Sequence, residues 1–327
     1  MPAAGTGYKP EFIAKNLRVD FPRIPDHRKE DIAPCTDSGN GEYKYDHYSL
    51  FLSKSRRFPY FTATNIDGKL FKAIGRDEVF DSGNDEWRVD ERGREYQHGP
   101  HLYSAVKSNF ERGHMTKRED PQWGRSRLLA KKAAQSTYYF SNCVPQVKEL
   151  NSKEWAFLET YILKKEVVAD HLKIVVFTGP VLSDSDPEFI TKVDGQNVKI
   201  PTLFWKVVFF TNDGKVLNKV GFLMGQQTLL EKKGIVKKKT STLRSLTTEK
   251  EKPHFNDFAD AQTYQVSLST IENLSGLKFA EAREPYKDPR PVKLVLKEVE
   301  MKASGTRSLT SGNSNETVLA YEGLKLF

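Results

Sequence analysis

Glu111-Arg112-Gly113-His114, followed at a distance by Asn142, by Asn151 and by Trp155 to Glu159, is the stretch whose reading decides this chain. A neutral imidazole, with an ordinary pKa of about 6.5, is the usual side chain for taking a proton from water near neutral pH. In an extended segment Arg112 lies on the same face as His114, and Gly113 between them permits close approach of a ligand to the backbone. A guanidinium meets phosphate oxygens with two parallel hydrogen bonds, so a base and an arginine on one face point to phosphate chemistry. A structural role for His114 remains the plain alternative, and it is the neighbouring arginine that argues against it.

Working outward, Asn151 stands just before a helix expected over 152–168, with Glu154 three residues on. It reads either as an N-cap with a capping-box partner or as an oxygen ligand for Mg²⁺, a hard cation that keeps several waters. Eight residues of helix rise about 12 Å, so Glu159 does not share an inner coordination shell with Asn151 and is assigned to metal-bound waters. An anion is favoured at a helix N-terminus and a cation is not, so metal affinity is expected to depend on bound substrate. Asn142 reads as a site residue or as a side chain satisfying buried turn backbone. Arg88, beside Trp87, reads as a substrate contact or as an exposed charge.

The chain has 327 residues, 38% apolar and 11% aromatic, enough for a sizeable core in one large domain. Its 51 Lys and Arg against 43 Asp and Glu give a formal charge of +8, which suits a polyanionic partner. Cys35 and Cys143 lie far apart and read as free thiols, and no apolar run reaches membrane-spanning length. The N-terminus lacks a charged segment followed by an apolar one, so the expectation is a cytoplasmic protein with no membrane partner, secretion by another route being left open.

Residues 1–45 read as a loosely structured N-terminal arm packed on the body, 46–285 as the main domain, and 286–327 as a partly flexible C-terminal extension. Strands are expected at 48–52, 60–64 and 69–72, with Asn65-Ile66-Asp67-Gly68 as a turn. Others are expected at 137–140, at 173–180 before a Gly-Pro turn, and at 203–210 and 216–224 as a hairpin around Asn212-Asp213-Gly214. Residues 127–134 read as a short helix, and 264–268 as a strand before 271–277. The polar stretch 74–101 is too long for an ordinary connection and is read as substrate surface. The lysine-rich segment 231–252 reads as a mobile loop.

At these residues the chain resembles the DNA/RNA non-specific endonucleases of the His-Me finger (ββα-metal) superfamily. The ordered set is Asn65-Ile66-Asp67-Gly68, Arg112-Gly113-His114, Ser141-Asn142 with Pro145-Gln146, Leu150-Asn151, Trp155 with Leu158-Glu159, Thr178-Gly179-Pro180, Ile200-Pro201 with Phe204-Trp205-Lys206, and Ile271-Glu272 with Gly276-Leu277. The resemblance implies an α+β fold of mixed architecture, with a central antiparallel sheet and a ββα-metal motif. It implies His114 as general base, Asn151 as direct metal ligand, Glu159 as organiser of metal-bound waters, Arg112 as a phosphate contact and Asn142 beside the metal. Implied too are Mg²⁺, with Mn²⁺ as substitute, DNA and RNA as substrates, 5′-phosphate products and a homodimer as one assembly. Two departures stand out: Glu111 replaces the usual Asp, and Asp85-Glu86 stands where an arginine is often found, with Arg88 as its candidate substitute. A catalytically silent nucleic-acid-binding module of the same fold is the other reading.

Overall fold

A computed structural model describes residues 5–151, 155–237, 260–301, 316–322 and 324–325. Ser152, Lys153 and Glu154, with the proposed capping-box partner, lie outside these, as do residues 238–259 of the lysine-rich segment and 302–315 of the extension. Its strands are β1 (Tyr43–Lys44), β2 (Tyr48–Leu52), β3 (Pro59–Asp67), β4 (Phe110–His114), β5 (Cys143–Val147), β6 (Lys173–Pro180), β7 (Leu203–Phe210), β8 (Asn218–Gly225), β9 (Tyr264–Val266), β10 (Val292–Lys293), β11 (Val295–Met301) and β12 (Glu316–Glu322). The helices are α1 (Pro100–Ser104), α2 (Arg127–Ser136), α3 (Trp155–Thr160), α4 (Gln227–Lys232) and α5 (Leu268–Ser275).

Among the described residues eight strands form one antiparallel sheet in the order β1-β2-β3-β6-β7-β8-β9-β10. Its middle strands are buried along nearly their whole length, which is why Lys173–Pro180 and Leu203–Phe210 read as near-continuous apolar runs rather than alternating ones. Phe177 sits at the centre. It is fully buried, and its ring meets those of Tyr8, Phe61, Phe209 and Phe279. Tyr8 brings the N-terminal arm into this cluster, and its hydroxyl donates to the Val19 carbonyl at 2.6 Å. The arm has little regular structure yet contributes Ile13, Leu17, Val19 and Ile24 to the same core. At the other end, β10 of the C-terminal extension pairs with β9 and so joins the main sheet.

Several local expectations change. Asn65-Ile66-Asp67 is strand, paired with Lys173 to Val175, and the chain turns only at Gly68. The Asn65 amide, instead of making a turn, grips the backbone of Lys9 at both its N–H (2.7 Å) and its carbonyl (3.1 Å). Gly68 is required by crowding, because a Cβ there would lie 2.0 Å from the Val167 carbonyl oxygen. Residues 69–72 make only the Phe71 bridge to Trp123, and 137–140 only the Arg88 bridge to Tyr139. The expected helix is α through Thr160 and then widens into a π-helix over Tyr161–Val168. Its buried residues explain the widening: Ile162 and Val167 are five apart, and i to i+5 bonding brings such a pair onto one face.

Truncating Phe177 to Ala is expected to cost about 3–5 kcal/mol, the usual range for a buried phenylalanine. Urea unfolding of the variant, with the midpoint falling at unchanged slope, checks this; an unchanged midpoint would show that the arm and sheet do not share one core.

Candidate active site

β4 and β5 form a separate two-stranded antiparallel ladder in which His114 faces Cys143 and Arg112 faces Pro145. Pro145 lies inside a strand rather than a turn, in a ribbon with only one partner strand, where a missing N–H is tolerated. The ladder gives the site two faces. On one, Trp87 packs against His114 with ring centres 4.6 Å apart, and Tyr138 meets the imidazole edge-on at 5.1 Å. The Arg112 guanidinium lies 5.9, 5.5 and 6.0 Å from the rings of Trp87, Tyr103 and Phe140. It is exposed, and among the described residues no carboxylate forms an ion pair with it, so aromatic faces hold the cation while leaving its donors for a ligand.

His114 Nε2 is buried with no hydrogen-bond partner among the described residues. Desolvation pushes the imidazole down to about 3, with Asp85 opposing and Arg76 and Arg118 adding to the effect. The ring is therefore neutral near pH 7, as a proton acceptor must be.

From the other face of β4, Glu111 reaches the helical segment. Asn151 Nδ2 donates to Glu111 Oε2 at 2.9 Å, which puts the carbonyl oxygen Oδ1, the atom a hard cation takes, at the opposite end of the amide. Lys148 to Asn151 are themselves helical, ahead of α3, which begins at Trp155. The departure from Asp to Glu thus has a use: the carboxylate of Glu111 fixes the amide of Asn151.

Glu159 reaches from α3 towards the sheet. It is nearly buried, and among the described residues Oε1 has no hydrogen-bond partner although the Lys206 ammonium lies 3.3 Å away. Asp120 is close enough for both charges to act on it; burial pushes its carboxyl up to about 7, Lys206 opposing and Glu159 adding. Asn151 and Glu159 are therefore tied to different elements, as their spacing demands. Among the described residues no three His, Cys, Asp or Glu side chains cluster as a metal cage. One amide oxygen and one buried carboxylate nonetheless fit a hard cation that keeps most of its waters.

For Asn142 and Arg88 the structure shows the plainer of the two readings, and for Gly113 a packing role. Asn142 is fully buried, and its amide is consumed by backbone: Oδ1 accepts from Thr116 N–H at 2.8 Å, while Nδ2 donates to the carbonyls of Thr116 and Thr137, each at 3.0 Å. It braces the chain just after His114 instead of lying open beside a metal. Arg88 alternates away from Trp87; its guanidinium lies 4.8 Å from the Tyr139 ring and donates to the Gln135 carbonyl at 3.0 Å. Gly113 is not a ligand approach, since a Cβ there would lie 2.2 Å from the buried Gln146 Oε1.

Arg76 is the residue that sequence reasoning missed. It forms a two-pronged ion pair with Asp85, whose carboxylate also accepts from the Tyr138 hydroxyl at 3.0 Å, and its charge reaches both His114 and Glu111. Asp85, which stands where an arginine was expected, instead brings one in from nine residues upstream.

The sequence profile of the DNA/RNA non-specific endonuclease family matches residues 32–285. The chain belongs to this family. It is 30% identical over 230 residues to uncharacterized protein y4fB of Sinorhizobium fredii, covering 68% of this chain and 32% of that protein. It is 33% identical over 113 residues to mitochondrial endonuclease G of Homo sapiens (33% of this chain, 35% of the relative) and 35% identical over 96 residues to the nuclease of Serratia marcescens (29% and 35%). The chain thus spans about a third of the length of these relatives. Nuclease relatives and the metal binding typical of the family accompany a site with a neutral imidazole, an uncommitted guanidinium and hard oxygen donors.

Burial also sets a pH dependence. His47, stacked on Trp123, and His98, under Phe58, are pushed down to about 4 by desolvation, as His114 is to about 3. Between about pH 6.5 and 4 the unfolded chain therefore binds protons at these three sites that the folded chain refuses, so stability falls as pH falls. Asp120, Asp46 and Asp260, raised by burial, work the other way in that window, but only Asp120 is carried as far as about 7. Urea midpoints measured from pH 7 to 4.5 are expected to decrease steadily; midpoints that rise on acidification would contradict the buried neutral histidines.

Proposed function

We propose that this endonuclease hydrolyses phosphodiester bonds of DNA and RNA with one divalent cation, Mg²⁺ or in its place Mn²⁺, without selecting sugar or sequence and leaving 5′-phosphate ends. The observation that carries the reading is a desolvated, neutral His114 whose buried Nε2 has no partner among the described residues, one residue removed on the same strand face from an Arg112 that no acid among them neutralises.

Asn151, through Oδ1, would hold the cation directly, and Glu159 would hold its waters; when bound, the cation supplies positive charge to the phosphate and the leaving 3′-oxygen. His114 Nε2 takes the proton of the attacking water. Arg112 and Arg76 orient the phosphate, the first released from acidic partners by its aromatic setting and the second held near by Asp85. Trp87 and Tyr138 wall the imidazole from bulk water and so keep it unprotonated. Glu111 fixes the Asn151 amide, and Asn142 fixes the backbone that follows the base.

Supercoiled plasmid, linear duplex and RNA, each incubated with Mg²⁺, Mn²⁺ or EDTA, test the reading. All three substrates are expected to be cut with either metal and spared in EDTA, and His114→Ala is expected to lose about 100- to 10,000-fold in rate while still binding duplex. Duplex binding in EDTA with no cleavage after Mg²⁺ addition would mark a silent binding module, and near-wild-type cleavage by folded His114→Ala would remove His114 from the mechanism.

A further inference from the structure

Along β7 one side presents Phe204, Lys206, Val208 and Phe210 in alternation, and Val208 and Phe210 line the same apolar space as Leu158 and Ile162 of the helical run above. Lys206 breaks this stripe. It is 1% exposed, and its ammonium donates to Thr178 Oγ1 at 2.8 Å, directly across the β6–β7 ladder. It also lies 5.4 Å from the centre of the Trp155 ring and 3.3 Å from Glu159 Oε1.

We propose that Lys206 is a positioning residue for the metal site, anchoring the Glu159 carboxylate from the sheet side so that it holds the waters of the bound cation. This deepens the role given to Glu159 above and rests on it. A lysine is almost never fully buried without an acidic partner, and a buried ion pair is seldom more stabilising than apolar side chains of the same volume. Packing alone therefore does not account for a lysine between Phe204 and Val208. What the lysine adds is location: Thr178 fixes its ammonium in the rigid centre of the sheet, and the ammonium in turn fixes one oxygen of a carboxylate on the helix. Among the described residues Glu159 Oε1 has no hydrogen bond to lock it, and the charge of Lys206 sets where that oxygen rests.

The test is a double-mutant cycle read by Mn²⁺ binding to the protein free of nucleic acid, followed by electron paramagnetic resonance. Lys206→Met is expected to weaken Mn²⁺ binding about 10- to 100-fold, the usual cost of losing a group that orients a metal's partners. In a Glu159→Gln background the same substitution is expected to change binding by less than about twofold, because its effect passes through Glu159. Thr178→Val, which keeps the lysine but removes its anchor, is expected to shift binding in the same direction by a smaller factor, and it serves if Lys206→Met does not fold. Wild-type affinity in both single variants, or equal losses with and without Glu159, would overturn the proposal. Plasmid cleavage by the wild type is scored separately: coupling between Lys206 and Glu159 in a protein that cuts nothing would leave this proposal standing and refute the nuclease reading.

Discussion

The site depends on one clip between a strand and a helix, the hydrogen bond from Asn151 to Glu111. The base lies on β4 and the metal-directed oxygens lie on helical segments that follow β5, so the two halves of the chemistry sit on different elements. A catalytic constellation works only when its parts are held within a fraction of an ångström. The β4–β5 ladder fixes the strand in register, with His114 opposite Cys143, while Glu111 fixes the helix to that strand. Gln146 fills the space beside Gly113, where a Cβ would lie 2.2 Å from its Oε1.

Charge is distributed to match. The imidazole and the Arg112 guanidinium stand among aromatic rings, where the first is kept neutral and the second keeps its hydrogen-bond donors. The acids lie deeper, against the sheet, where Lys206 compensates Glu159 and Asp120 is raised by its burial. The phosphate contact thus faces outward, the proton acceptor lies beside it walled by aromatic rings, and the groups that manage a hydrated cation are braced from within. Both arrangements use preorganised charge in a poorly solvated place, where it acts more strongly than in water.

Most of the fold was legible because its strands bury both faces: Tyr48–Leu52, Lys173–Pro180 and the Leu203–Gly225 hairpin follow from apolar runs bounded by turn residues. The active-site motif was legible because Arg112 and His114 sit at period two. Failures share a cause, namely side chains that answer to a distant partner. Asn65 looks like a turn residue until Lys9 arrives from the N-terminal arm. Gly113 and Asn142 look like ligand positions, yet one is small because of Gln146 and the other is spent on backbone. Arg76 carries no local signal, since only the fold brings it back to Asp85. Lys206 stands inside the apolar run Leu203–Phe210, and only the fold brings its acid, Glu159, to it.

Direct ligation by Asn151 and water-mediated contact by Glu159 are best decided in a crystal of the His114→Ala variant with a short duplex and Mn²⁺, by locating the metal from its anomalous scattering. The expected result is one peak at roughly 2.2 Å from Asn151 Oδ1, with waters between it and Glu159. A peak bonded directly to Glu159 and remote from Asn151, or two metals bridging the phosphate, would contradict the one-metal site built here on the Glu111–Asn151 clip.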